Sequence, residues 1–180
     1  AMALGCTRSI SRGMQFWSDE LREYQIAELF AVQAQAELLA KLLESKDGQK
    51  LLLRFVITAG AALPEKTIAL LENAQVLAVS EYGSSEGGCI GHPDYVQGSY
   101  ETRKGAVGKL RPYLKYRLER QNTEGYGELW LKGPSIAPIY LDEKGDDVPT
   151  CKDGWFCTGD VAKVDAEGFL YLKGRTKNLI

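Results

Sequence analysis

Apolar and polar residues change their spacing part-way along the chain, and the change divides it into two textures. From Ser18 to Lys46 the run SDELREYQIAELFAVQAQAELLAKLLESK is rich in Ala, Leu, Glu and Gln, which lose little freedom in a helix. Leu38, Leu39, Leu42 and Leu43 fall at helical spacing there and predict one apolar face. Leu51 to Thr58, LLLRFVIT, is a short apolar run with β-branched residues and predicts a buried strand. A turn, AGAALP, follows, and Pro64 is placed to open a helix through Leu71. Gln75 to Ser80, QVLAVS, predicts a second buried strand. Strand, helix and strand at this spacing predict a parallel βαβ unit with a right-handed crossover.

Beyond the glycine-rich stretch at Gly83 to Gly91 the period shortens to two. In YLKYRLER, Leu114, Tyr116 and Leu118 share one face, and Lys115, Arg117 and Glu119 the other. GELWLKG, GDVAKV and GFLYLKG repeat short strands between turns such as NTEGYG and DAEG. The expected fold class is therefore α/β: a partial parallel βαβ layer over residues 1–99, then a small antiparallel β-rich subdomain, a distorted barrel, over residues 100–180.

The 180 residues suffice for one sizeable domain or two small ones. Hydrophobic residues at 44% and charged residues at 26% are ordinary for a soluble globular protein. A net charge of -2 gives no electrostatic case for nucleic acid or an anionic membrane surface. Cys6, Cys89, Cys151 and Cys157 form no CxxC pair, and a single histidine argues against a Cys/His zinc site. Reduced structural thiols in a cytoplasmic protein are the expectation. No apolar run approaches the roughly 20 residues of a membrane span, and AMALGCTRSISRG lacks the long apolar core of a signal peptide.

Three short motifs offer chemistry. EYGSSEGG follows a predicted buried strand, where parallel sheets bind ligands. Gly83, Gly87 and Gly88 permit close backbone approach, Ser84 and Ser85 offer hydroxyls to phosphate oxygens, and Glu86 is a hard oxygen ligand of the kind magnesium takes. Tyr82 offers a flat ring for a base. DGWFCTGD ends on Asp160, whose carboxylate suits a vicinal diol. GRTK presents Arg175, a fork of donors for ribose or phosphate. Taken singly, each is also what an ordinary Gly-Ser loop, a tight turn or a solvated charge looks like.

Together, YGSSEG, GELWLKGPSIAPIYL and DGWFCTGDVAKVDAEGFLYLKGRTKNLI occur in one order and spacing. From about Phe55 to Ile180 the sequence resembles the AMP-forming adenylating enzymes: acyl- and aryl-CoA synthetases, firefly-type luciferases and peptide-synthetase adenylation domains. The resemblance implies that YGSSE holds ATP, with Ser85 in place of the family's threonine. Tyr82 would stack on adenine, Gly83 and Ser84 would line the nucleotide, Ser85 would contact the α-phosphate, and Glu86 would bind Mg2+. TAGAALP would give the adenine-side wall, with Gly60, Ala61 and Ala62 opposite Tyr82. Asp160 would hold the ribose hydroxyls, and Arg175 would support ribose and phosphate. FAVQAQAELL resembles the family's strand-to-helix segment, with Gln33 where a proline is common, so a strand at Ala27 to Val32 competes with the helix there.

The reaction so implied is attack of a carboxylate on the α-phosphate of ATP, giving acyl-AMP and pyrophosphate, with CoA as the co-substrate of a ligase. Ser84, Gly87 and Gly88 would lie near the incoming acyl chain. His92, a lone histidine before proline, is read first as a turn residue. A Ser/Thr/Gly-rich phosphate loop with its lysine has no counterpart before Ala27, and the resemblance places the hinge to a lid domain at Lys177. The expectation is a piece of the large domain cut at that hinge, inactive alone, with sheet edges open to self-association. The alternative is a stand-alone nucleotide-binding or interaction module.

Overall fold

A computed structural model of the chain describes residues 13–45, 51–60, 63–97 and 99–178. They form a mixed α/β fold whose strands pair both parallel and antiparallel. The chain divides between Val79 and Ser80 into two compact units.

In the first unit a 3₁₀ turn at Met14–Phe16 leads into α1 (Trp17–Glu23). The helix-rich run does not continue as one helix. Gln25 turns left-handed at φ 49°, and Glu28–Ala31 form β1. This strand pairs in parallel with β2 (Phe55–Ala59), Glu28 opposite Phe55 and Ala31 opposite Thr58. The backbone ladder overrides the local helical preference, so of the two readings left open for Ala27 to Val32 the strand forms.

α2 (Gln33–Leu43) starts directly after it, with the Gln35 side chain accepting from the Val32 backbone N–H at 3.0 Å. Its buried face is Ala36, Leu39, Ala40 and Leu43, while Leu38 is exposed. The face predicted from four leucines is thus rotated toward the alanines, whose small side chains allow close packing. β2 is buried on both faces through Thr58, as the apolar run predicts. Pro64 sits at the N-cap of α3 (Glu65–Asn73). The core of this unit gathers Trp17, Leu21, Leu39, Leu43, Val56 and Leu71. β3 (Leu77–Ser84) lies beside β2 and carries the chain into the second unit.

The second unit is antiparallel. β3 forms a hairpin with β4 (Gly88–His92), and a small ribbon follows, β5 (Tyr95–Val96) on β6 (Ser99–Tyr100). Then come β7 (Ala106–Leu110), β8 (Lys115–Glu119) and β9 (Gly127–Lys132). A second ribbon pairs β10 (Ile139–Leu141) with β11 (Asp147–Pro149). β12 (Cys151–Lys152), β13 (Trp155–Val164) and β14 (Phe169–Arg175) complete the chain's strands before a last 3₁₀ turn, Thr176–Asn178. The order across this sheet is β3-β4-β7-β14-β13-β9-β8. Ile90, Leu114, Leu129, Leu131, Ala162 and Leu170 fill its core together with Tyr82.

Candidate functional site

The motif YGSSEGG is a hairpin and not the loop after a strand that its glycines suggest. Tyr82, Gly83 and Ser84 lie on β3, Ser85–Gly87 make the turn, and Gly88 starts β4. Glycine is needed at position 83 because a Cβ there would stand 2.6 Å from the Gly88 carbonyl oxygen. The Ser84 hydroxyl closes the turn by accepting from the Gly87 N–H at 3.0 Å. Ser135 donates to the Gly87 carbonyl at 3.1 Å, and the Ala137 N–H to the Glu86 carbonyl at 2.7 Å. The turn is thereby held from behind. The exposed Ser85 hydroxyl and the half-buried Glu86 carboxylate carry no hydrogen bond or ion pair among the described residues.

Asp160 owes its position to a bulge. β13 pairs Cys157 with Trp130 on β9, and the next pair is Val161 with Glu128, so Thr158–Gly159–Asp160 oppose Leu129 alone. Thr158 replaces the missing ladder bonds: its hydroxyl donates to the Leu129 carbonyl at 2.9 Å and accepts from the Asp160 N–H at 3.1 Å. Gly159 supplies the left-handed step at φ +70°.

On the other side of β13, Asp160 pairs with Arg175 of β14. Arg175 Nε lies 3.0 Å from Asp160 Oδ1, and its guanidinium donates to the Thr158 carbonyl at 3.0 Å. The Tyr82 hydroxyl donates to the remaining carboxylate oxygen, Oδ2. Tyr82, Asp160 and Arg175, from three strands, therefore meet in one cluster. Burial pushes the Tyr82 phenol far above its ordinary range, and the hydrogen bond to Asp160 and the negative charge of that carboxylate push it the same way. It stays a neutral donor. Arg175 is 63% exposed against 13% for Asp160, so the guanidinium is the partner free to exchange. Tyr82 itself is 8% exposed and offers little ring face to a base.

Of the remaining expected site residues, Gly60 stands in the first unit, at φ +91°. With Ala59, Val32, Gln33, Ala34 and Glu37 it lines an open cleft of about 510 Å³ where β1 and β2 end and α2 begins. Carboxyl ends of parallel strands are where such sheets bind ligands. Ala61 and Ala62 lie outside the described residues. Lys177 is exposed in the last 3₁₀ turn, two residues beyond Arg175. Thr158, whose hydroxyl fixes Asp160, is the residue that sequence reasoning passed over. A threonine two positions before an aspartate, as in CTGD, is the pattern that marks a side chain bonding its own backbone.

Comparison with known proteins gives these geometries a context. The family model described as AMP-binding enzyme matches residues 1–141. The indoleacetate–CoA ligase of Aromatoleum aromaticum is 29% identical over 90% of this chain and 32% of that protein. A long-chain-fatty-acid–CoA ligase of Homo sapiens is 39% identical over 55% of the chain and 13% of that protein. Among solved structures, a malonyl-CoA ligase ternary product complex with methylmalonyl-CoA and AMP superimposes at TM-score 0.72 and 26% identity, over 91% of this chain and 36% of that one. O-succinylbenzoate coenzyme A synthetase from Bacillus subtilis, in complex with ATP and magnesium, shares the fold at TM-score 0.69 and 22% identity, over 93% of this chain and 35% of that one. The chain spans about a third or less of the relatives it matches.

Proposed function

The chain belongs to the AMP-binding enzyme family, and from that premise we propose that it is the nucleotide-binding part of an ATP-dependent, AMP-forming carboxylic acid–CoA ligase. In the whole enzyme a substrate carboxylate oxygen attacks the α-phosphorus of ATP. The new O–P bond forms as the bond to pyrophosphate breaks, and the thiol of CoA then displaces AMP from the acyl group. Magnesium, when bound, supplies neutralisation of the charge that develops on the phosphate oxygens.

The observation that carries this reading is the convergence of Tyr82, Asp160 and Arg175. Asp160 offers the two-oxygen acceptor that a ribose diol requires. Tyr82 and Thr158 hold the carboxylate in place, and the exposed Arg175 swings from Oδ1 toward ribose and phosphate. The unpartnered Glu86 carboxylate fits a magnesium ligand, being a hard oxygen at a braced turn. The Ser85 hydroxyl beside it would contact the α-phosphate. By the family resemblance, Gly83 and Ser84 would line the nucleotide from the hairpin, and Lys177 would be the hinge. The residues before 100 would supply the adenine and phosphate loops and those after it the ribose side.

The isolated 180 residues are inactive in adenylation, because they contain no Ser/Thr/Gly-rich phosphate loop with its lysine. Pyrophosphate exchange with ATP stays at background with any carboxylic acid. No helix among the described residues is long and apolar enough to cross a membrane, and the reading includes a cytoplasmic protein that associates with itself through open sheet edges.

Amide chemical shifts of the labelled chain on addition of AMP test the proposal. The expected perturbations centre on Tyr82, Thr158 to Asp160 and Arg175. Shifts confined to other surfaces, or none at saturating AMP, would overturn it.

A further inference from the structure

A second cluster stands on the β3–β4 hairpin, on the face away from Tyr82. The register explains how it forms. Tyr82 pairs with Gly91 and Gly83 with Cys89, so Ile90 is an extra residue on β4. Ile90 packs with Tyr82 in the core, and a Cβ at Gly91 would stand 3.5 Å from that of Tyr82, so both positions face inward. The residues flanking this bulged pair, Cys89 and His92, therefore face outward together. Glu81, next to Tyr82 and across from His92, points the same way.

One sulfur, one imidazole nitrogen and one carboxylate oxygen of Glu81, Cys89 and His92 lie within 4.8 Å of one another. His92 Nδ1 is buried and lies against Glu81 Oε1, yet has no well-aligned hydrogen-bond partner among the described residues. The ring is edge-on to Tyr100 at 5.7 Å, which limits its rotation. Glu81 and His92 are 19% and 22% exposed, and Cys89 is open to solvent, so an entry path exists. Burial and the Glu81 carboxylate raise the Cys89 thiol above its ordinary range, while Arg111 opposes them.

We propose that Glu81, Cys89 and His92 form a site for a divalent transition-metal ion, Zn2+ in the first instance, separate from the magnesium ligand Glu86. Thiolate, imidazole and carboxylate are the three donor types zinc takes, and three protein ligands leave a fourth tetrahedral position to water or an outside ligand. Donor atoms of a tetrahedral zinc site sit about 3.5 Å apart, so His92 Nδ1 and Glu81 Oε1, now in contact, must part slightly while the Cys89 sulfur moves in toward them. Rotation of the exposed Cys89 side chain provides that approach. The ion replaces the thiol proton, so binding releases a proton. It also clamps β3 to β4 behind the Ser85–Gly87 turn.

The chain has one histidine, so the imidazole nitrogen resonances of the unmodified protein report on this site alone. Titrating Zn2+ into the reduced, metal-free chain is expected to shift both His92 nitrogens and to saturate at one equivalent. With Co2+ as the probe, a thiolate-to-cobalt charge-transfer band is expected, lost in Cys89→Ser and kept in Cys151→Ser and Cys157→Ser. Zn2+ affinity falls at least tenfold in Glu81→Gln, which leaves thiol and imidazole in place. An imidazole unmoved at one equivalent of Zn2+, or a band that survives Cys89→Ser, would overturn the proposal, and the first needs no variant to fold.

Discussion

The Tyr82 hydroxyl donates to Asp160 Oδ2 across 78 positions of sequence, tying the first motif of the chain to the second inside one unit. Because Tyr82 is buried, losing its hydroxyl leaves a nearly buried carboxylate with one partner fewer. Tyr82→Phe is expected to cost about 1.5–3 kcal/mol, the range for a hydrogen bond to a charged group, without unfolding the chain. Urea denaturation with an unchanged m-value checks it.

The same tyrosine sets a pH dependence. Its phenol titrates above the ordinary tyrosine range when folded, so the folded state favours the protonated form. The stabilisation is fully present below the unfolded tyrosine value of about 10 and is lost as pH rises from there toward the folded value. Stability of the wild type should fall from about pH 10 upward, and the fall should be shallower in Tyr82→Phe. Denaturation midpoints across that window decide.

Gly108 holds β7 against the end of β4. A Cβ there would stand 2.3 Å from the His92 carbonyl carbon and 2.5 Å from Pro93 N, and its φ is +85°. Neither backbone atom can give way cheaply. Gly108→Ala is expected to lose more than about 2 kcal/mol of stability, from left-handed strain and the clash together. Thermal melting of the variant measures this.

Glu86 is expected to act on the metal-bound nucleotide only. Glu86→Gln should weaken ATP binding in the presence of Mg2+ by about tenfold, the loss of one charged contact, and leave binding of metal-free AMP unchanged. Parallel titrations with and without magnesium test the split. An equal loss in both would make Glu86 a structural residue of the turn.

How much of this was legible in the sequence depended on whether a feature is local. Asp160 and Arg175 stood out only because DGWFCTGD and GRTK follow YGSSEG in one order and spacing, whereas the buried β2 declared itself through four consecutive apolar or β-branched residues. β1 stood only as a competing reading offered by the family resemblance, because Glu28 to Ala31 has helix-forming neighbours and becomes a strand only when β2 lies alongside. The YGS segment read as loop because glycines suggest one, whereas close strand approach at Gly83 is what requires them. Bulges were the main blind spot. Cys89 and His92 are three apart, which in a regular strand puts them on opposite faces, and only the extra Ile90 brings them to one. The two extra residues that turn Asp160 out of the β13 ladder are equally invisible until strands are paired.

The most direct test of the central claim is calorimetric titration of AMP into the 180-residue chain and its Asp160→Ala variant. Saturable micromolar binding by the wild type is expected, weakened at least about tenfold in the variant through loss of charge-assisted hydrogen bonds, with the variant still folded by circular dichroism. No binding by the wild type, or equal affinity in the folded variant, would contradict the assignment of Asp160 to the nucleotide.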